Sequence, residues 1–301
     1  MDDVLINQRR TAMRCDGYEL RRQGEELILS VLARGKEGLE KEAGVVRVGD
    51  LLEKRYPASR FHFEKNDMKK VIELFRSQCD FSFGMSGYSN VDQKRCNELG
   101  IKLGQYEYSV AGLMKRAIGT MRQRISSVRP GIVYGSSEMG VDLAIGGVAE
   151  QDNIPLLGTS CLAYLWYVNN KPVGPNILIA RTKQEYNELY VGLIDLLLAA
   201  NGGQVSYDMD IHAATRRMIP VVPVDVLSML GSKVPAFIVD SSGGRKVNDA
   251  VGALIYTWRL LDWTSAGFSH AKDRFEEVSK QFSDAVVAAA REVAPAKYSF
   301  T

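Results

Sequence analysis

The sequence predicts an α/β protein: a parallel β-sheet flanked by helices, with a helical N-terminal extension and a C-terminal helix. Three observations carry this. Short apolar runs recur through the middle of the chain, each run ends in glycine and small hydroxyl residues, and a helix-like segment follows each. The size suits it, since 301 residues, 46% hydrophobic and 25% charged, suffice for one large α/β domain or two unequal ones.

Residues 1–78 are charged and mostly helical in pattern, with helices expected at Glu25 to Leu39 and Asp67 to Gln78. Between them, Val45-Val-Arg-Val and Arg60-Phe-His-Phe alternate, as short strands or extended loops do. No ligand motif falls here, and a helical cap or oligomerisation arm is the expected role.

Residues 79–263 form the expected ligand-binding domain, with four glycine turns in series. Phe81-Ser-Phe-Gly-Met-Ser-Gly87 precedes a helix from about Val91 to Gln105. Ile132 to Tyr134 is an apolar run fit for a buried parallel strand, followed by a turn bracketed by Gly135 and Gly140 and then by a helix. A further strand is expected at Pro155 to Gly158. Leu196-Leu-Leu-Ala-Ala-Asn-Gly-Gly203 precedes a helix ending near Arg217, and Ala236-Phe-Ile-Val-Asp-Ser-Ser-Gly-Gly-Arg245 precedes one running through Trp258. Each turn would sit at the carboxyl end of a strand, where open α/β sheets bind ligands. Glycine lets the backbone approach closely, and the opening helix offers free N–H groups to an anion. The plainer alternative is that these glycines only permit tight turns.

An additional helical stretch, Ser109 to Val128, and its flank carry Lys115, Arg116, Arg122, Arg124 and Arg129. They make either a basic rim over a phosphate or, more plainly, a solvated face. Residues 264–301 form the C-terminal helical segment. Phe268, Phe275, Val278, Phe282, Ala285 and Val286 fall on one of its faces.

Composition excludes several classes. A formal net charge of +2 provides no global basic field, so nucleic acid is an unfavoured partner. Cys15, Cys79, Cys96 and Cys161 are scattered without a CxxC pair, which predicts reduced thiols, a cytoplasmic location and no metal site. No secretory signal is expected from the first residues, and no window is long and apolar enough for membrane insertion. His62, His212 and His270 are far apart, no serine sits in a Gly-x-Ser-x-Gly elbow, and no Walker A phrase occurs. Tyr164, Trp166 and Tyr167 could stack on a nucleobase or belong to a core or interface patch.

Taken together, the glycine phrases resemble the SLOG superfamily of Rossmann-like domains. Its members include the cytokinin-activating LOG proteins, DNA-processing protein A and the cytosolic domains of melastatin-type TRP channels. Gly84-Met-Ser-Gly87 is similar to that family's first turn, and Tyr134 through Ala149 to its second. Asn201-Gly-Gly203 sits where the family has a double-glycine loop. Pro235 through Arg245 resembles the closing phrase of its channel-like and prokaryotic branch. The likeness spans roughly residues 80 to 262.

The resemblance implies binding, for sensing or sequestering, of a nucleotide-derived small molecule, ADP-ribose-like or cyclic, by a homo-oligomer with no other cofactor. Gly84, Ser86, Gly87, Gly135, Ser136, Ser137 and Gly140 would donate to phosphates. Asn201, Gly202, Gly203, Ser242, Gly243, Gly244 and Arg245 would close the other side, with Arg245 pairing with phosphate. A LOG-like phosphoribohydrolase is the alternative, but the family's catalytic glutamate position is Met209 here. Asp208 and Asp210 each lie one residue away, and one residue turns an α-helical side chain by about 100°. A structural or assembly protein that keeps the fold without the pocket is the third reading, and a DNA-processing role the fourth.

Overall fold

The structure, a computed structural model, describes residues 10–36, 38–89, 91–125, 128–137, 139–168, 174–202, 206–232 and 271–293. At its centre lies an all-parallel seven-stranded sheet. Its strands are β6 (Phe61–His62), β7 (Phe81–Ser86), β8 (Pro130–Tyr134), β9 (Leu156–Cys161), β10 (Ile177–Ala180), β11 (Leu196–Ala199) and β12 (Val221–Pro223). Their spatial order is β12-β11-β7-β8-β9-β10-β6.

Helices cover both faces, as a parallel sheet requires. On one face lie α2 (Gln93–Leu99), α3 (Gln105–Arg124), α4 (Gly140–Gln151), the short α7 (Val226–Met229) and α8 (Ala271–Val293). On the other lie α1 (Lys65–Gln78), α5 (Lys183–Leu193) and α6 (His212–Arg216). Strand side chains alternate between the two cores: Ile132 and Tyr134 join the α3–α4 side, while Val133 joins the α1–α5 side. The expected C-terminal helix is present as α8, and it buries Phe282, Ala285 and Val286 in the first core.

The helical N-terminal extension is corrected. Residues 10–57 form an antiparallel sheet of β1 (Arg10–Cys15), β2 (Tyr18–Gln23), β3 (Glu26–Leu32), β4 (Val45–Val48) and β5 (Leu51–Pro57), in the order β1-β2-β3-β5-β4. The first half of the segment expected as a helix at Glu25 to Leu39 is its central strand. Leu27 to Val31 are all buried there, so pairing on both edges and burial override the helix propensity of Glu and Leu. Two-residue loops set the register: Asp16-Gly17, Gly24-Glu25 and Gly49-Asp50. Asp16 and Gly17 have φ of 49° and 81°, the signs a type I′ hairpin turn demands. The other two expectations for this part hold: α1 covers Asp67 to Gln78, and Val45–Val48 and Phe61–His62 are strands.

This sheet packs on the β10–β6 edge of the central sheet and on the β9–β10 connection. Trp166 lies wholly buried in that seam, where Lys54 Nζ donates to its carbonyl at 2.8 Å. Trp166 is therefore a core residue. The basic residues of the α3 region are also accounted for. Arg116 grips Glu276 with two bonds of 2.5 and 2.8 Å, Arg124 meets Asp284 at 2.6 Å, and Arg129 meets Asp80 at 3.0 Å. These contacts tie α3 to α8 and fasten the amino edge of the sheet. The helix expected from Val91 to Gln105 is shorter, because Gly100 at φ 68° closes α2 with Ile101 N–H donating to the Cys96 carbonyl. All four cysteines are free thiols.

Candidate functional site

The chain leaves β7 through α2 and α3 toward β8, and leaves β11 in the opposite direction toward β12. These two strands are neighbours. Between their carboxyl ends lies the topological switch point, the place where open α/β sheets bind ligands. Three of the four predicted turns meet around it. The fourth, with Ser242, Gly243, Gly244 and Arg245, lies outside the described residues, as does Gly203.

Ser86 ends β7 and is 1% exposed. Its hydroxyl donates to Asp210 Oδ2 at 2.8 Å. Asp210 lies in a π-helical turn, Ser206–Ile211, that leads into α6. Asp210 follows Met209 by one residue, but the segment is not an α-helix. In a π-turn the bonds run i→i+5, so each turn holds an additional residue, and Asp210 comes round to face β7. Asp208 lies in the same turn, but its side chain is outside what the structure describes. Asn187 of α5 supports the turn, its amide donating to the Met209 carbonyl at 2.5 Å.

A second carboxylate enters from α4. Asp142, 8% exposed, reaches back over the β8–α4 turn and accepts from Gly135 N–H at 2.8 Å and Ser137 N–H at 3.3 Å. Gly135 is glycine for room: a Cβ there would lie 2.7 Å from Asp142 Oδ2 and 2.9 Å from the Tyr186 hydroxyl. The left-handed residues of this turn are Ser136 (φ 62°) and Gly140 (φ 61°), and a Cβ on Gly140 would run into the Tyr88 carbonyl. A non-glycine residue held at positive φ costs about 1–2 kcal/mol, so the fold holds Ser136 there against a local preference.

Three tyrosines lie beside these carboxylates. Tyr186 stacks on Tyr190 with ring centroids 6.1 Å apart, and Tyr164 meets Tyr186 edge-on at 5.5 Å. The Tyr164 hydroxyl lies 3.8 Å from Met209 Sδ. Burial perturbs the acids strongly. It pushes Asp142 up to about 6, although the Gly135 and Ser137 amides pull the other way. Burial, with the Asp142 charge adding to it, pushes Asp210 up to about 7 against the bonds from Ser86 and Asn187. Tyr186 and Tyr190 are raised by burial first and by the two nearby carboxylates second. Two buried acids raised toward neutrality are the kind of group that can hold or pass a proton.

The remaining predicted residues that the structure describes also make contacts within the fold. A Cβ on Gly84 would collide with the Tyr190 hydroxyl, so its glycine makes room for α5. Gly87 and Gly202 bring the two loops together: Ser206 Oγ donates to the Gly87 carbonyl at 2.7 Å, and Tyr88 N–H to the Asn201 carbonyl at 3.1 Å. Asn201 is fully buried. Its side chain accepts from Leu227 N–H at 2.8 Å and donates to Asp225 at 3.1 Å, anchoring α7 to the crevice. Sequence reasoning missed Asp142, Tyr186, Asn187 and Tyr190. For Asp142 a signal existed, an acid two residues after the glycine that opens a helix, placed to bond back to the preceding turn. The α5 residues carried none.

No group of three or more His, Cys, Asp or Glu side chains among the described residues is arranged to hold a metal, and no described helix is long and apolar enough to cross a membrane. No family model and no curated protein matches the chain. Among solved structures, the X-ray structure of TM1055, a Northeast Structural Genomics Consortium target, aligns over 47% of this chain and 72% of that one. The identity is 14% and the TM-score 0.31, a likeness too distant to argue from.

Proposed function

We propose that the chain binds a nucleotide-derived small molecule, of the ADP-ribose-like or cyclic class, in the crevice between β7 and β11, as a sensing or sequestering protein of the SLOG type. One observation carries the reading: glycine and hydroxyl turns from β7, β8 and β11 converge on the topological switch point beside a wall of tyrosines. Ser86, Asp210, Asp142 and Tyr186 supply polar contacts there, and the Tyr164 ring offers a stacking face. The test is calorimetric titration of the purified chain with ADP-ribose, AMP and cyclic dinucleotides, joined to native mass spectrometry of protein from its own host. A micromolar ligand or a co-purified nucleotide supports the reading. Absence of both refutes it.

A second reading, N-glycosidic cleavage by a LOG-like phosphoribohydrolase, is favoured by Asp210. The π-turn turns its carboxylate into the crevice, one position after the residue where the resembled family carries glutamate. A carboxyl titrating near neutrality suits general acid–base work on an oxocarbenium-like transition state. Base release from AMP by the wild-type chain, collapsing by orders of magnitude in Asp210→Asn, would make this the better account.

A further inference from the structure

The first turn of α3 touches the loops that follow β7, β8 and β11. Tyr106, the second residue of that helix, is fully buried, and its hydroxyl stands between the β7 and β11 loops. It donates to the Asn201 carbonyl at 2.6 Å and accepts from Tyr88 N–H at 3.2 Å. Tyr88 N–H also reaches the Asn201 carbonyl directly, at 3.1 Å, so the three groups close a triangle. Glu107, the next residue, accepts from Gly140 N–H at 3.3 Å in the β8–α4 turn.

The triangle is tied outward on both sides. The Tyr88 carbonyl accepts from Val141 N–H at 2.9 Å, which fixes the β7 loop to the start of α4. The Asn201 side chain holds Leu227 N–H and Asp225, which fixes the β11 loop to α7. Space is fitted to the phenol as well. A Cβ on Gly87 would lie 2.6 Å from the Tyr106 hydroxyl and 2.5 Å from Val141 Cγ1, so only glycine lets the β7 loop pass here.

The ring and the oxygen of Tyr106 do different work. The ring packs in the first core and meets Tyr88 edge-on at 5.8 Å, a place that phenylalanine would fill equally well. A buried hydroxyl costs free energy unless it is bonded, and here both of its bonds go to the two loops. Burial pushes the phenol far above its ordinary range, so the hydroxyl keeps its proton and remains a donor.

We infer that Tyr106 is a positioning residue of the site, its hydroxyl setting the distance between the β7 and β11 loops. The consequence for ligand affinity rests on the binding function proposed above; the bracing of the loops does not.

The test is Tyr106→Phe in the full chain, which keeps the ring and leaves the Tyr88–Asn201 bond in place. The variant should unfold in urea close to wild type. Amide exchange at residues 87–89 and 201–202, read by NMR, should quicken about tenfold, the size of one lost hydrogen bond, while β8 and the rest of α3 exchange as in wild type. Affinity for ADP-ribose should fall by a similar factor in calorimetry. Unchanged loop exchange in the folded variant would overturn the inference, and so would loosening spread evenly through α3 and β8. If wild type binds ADP-ribose and the variant binds it equally well, this inference fails and the proposed function stands. If ADP-ribose binds neither protein while the loops loosen, the proposed function fails and Tyr106 keeps its bracing role. In the wild-type chain the Tyr106 hydroxyl proton should exchange slowly enough to give its own NMR signal; rapid exchange there would overturn the inference without any variant.

Discussion

Asp210→Asn should make the protein more stable at pH 8 while changing it little at pH 4. In the unfolded chain the Asp210 carboxyl ionises near 3.8, and in the fold near about 7. Folding therefore favours the protonated form. The stability this contributes is complete below pH 3.8 and is lost as pH rises through about 7, because the unfolded state gives up its proton first. At roughly 1.4 kcal/mol per unit, a gap of about three units sets an upper bound near 4 kcal/mol. Partial exposure and solvent screening reduce the expected difference to about 2 kcal/mol. Asparagine keeps the shape and can still accept from Ser86 Oγ, but has no charge to desolvate. Urea unfolding of both proteins at pH 4, 6 and 8 reads the effect directly. The variant should gain about 2 kcal/mol at pH 8 and differ by less than about 1 kcal/mol at pH 4. A variant destabilised equally at all three pH values would refute the reasoning, for Asp210 would then be a hydrogen-bonding strut with no buried charge to relieve.

Three further outcomes follow from the geometry. Gly135→Ala places a Cβ 2.7 Å from Asp142 Oδ2 and 2.9 Å from the Tyr186 hydroxyl, so ADP-ribose affinity should fall tenfold or more in a folded protein; unchanged affinity by calorimetry removes this turn from the site. Gly84→Ala should cost about 1–3 kcal/mol in urea unfolding through the collision with Tyr190, and a variant as stable as wild type would contradict the packing role given to that glycine. Arg116→Ala should cost no more than about 1 kcal/mol and leave ligand affinity unchanged, since the Arg116–Glu276 pair clamps two helices at the surface; a large loss of affinity in calorimetry would restore the basic residues of α3 to the binding site.

The central sheet was legible because its strands are short apolar runs stopped by glycine or hydroxyl residues, as fits strands buried on both faces. Ile132 to Tyr134 and Leu196 to Ala199 show it plainly. The N-terminal sheet was hidden by composition. Glu25 to Leu39 is rich in helix formers, and its true state depends on β2 and β5, which a local pattern cannot weigh. The hairpin signals Asp16-Gly17, Gly24-Glu25 and Gly49-Asp50 were in the sequence and, given their due, point to antiparallel strands. Within the site, Ser86 was found because it closes a glycine turn. The orientation of Asp210 was not legible, because no local pattern in Ser206–Ile211 marks a π-turn rather than an α-helix. Tyr186, Asn187 and Tyr190 come from α5, which carries no ligand motif; only the fold brings that helix beneath the crevice.

The central claim is that a nucleotide-derived ligand occupies the crevice between β7 and β11. The most direct measurement is hydrogen–deuterium exchange of the full chain with and without saturating ADP-ribose, read by mass spectrometry at peptide resolution. A ligand there slows exchange in the segments around 86–89, 134–142 and 201–211 and leaves β1 to β5 unchanged. Protection that falls instead on the antiparallel sheet or the α3–α8 surface, with those three segments unaltered, would contradict it.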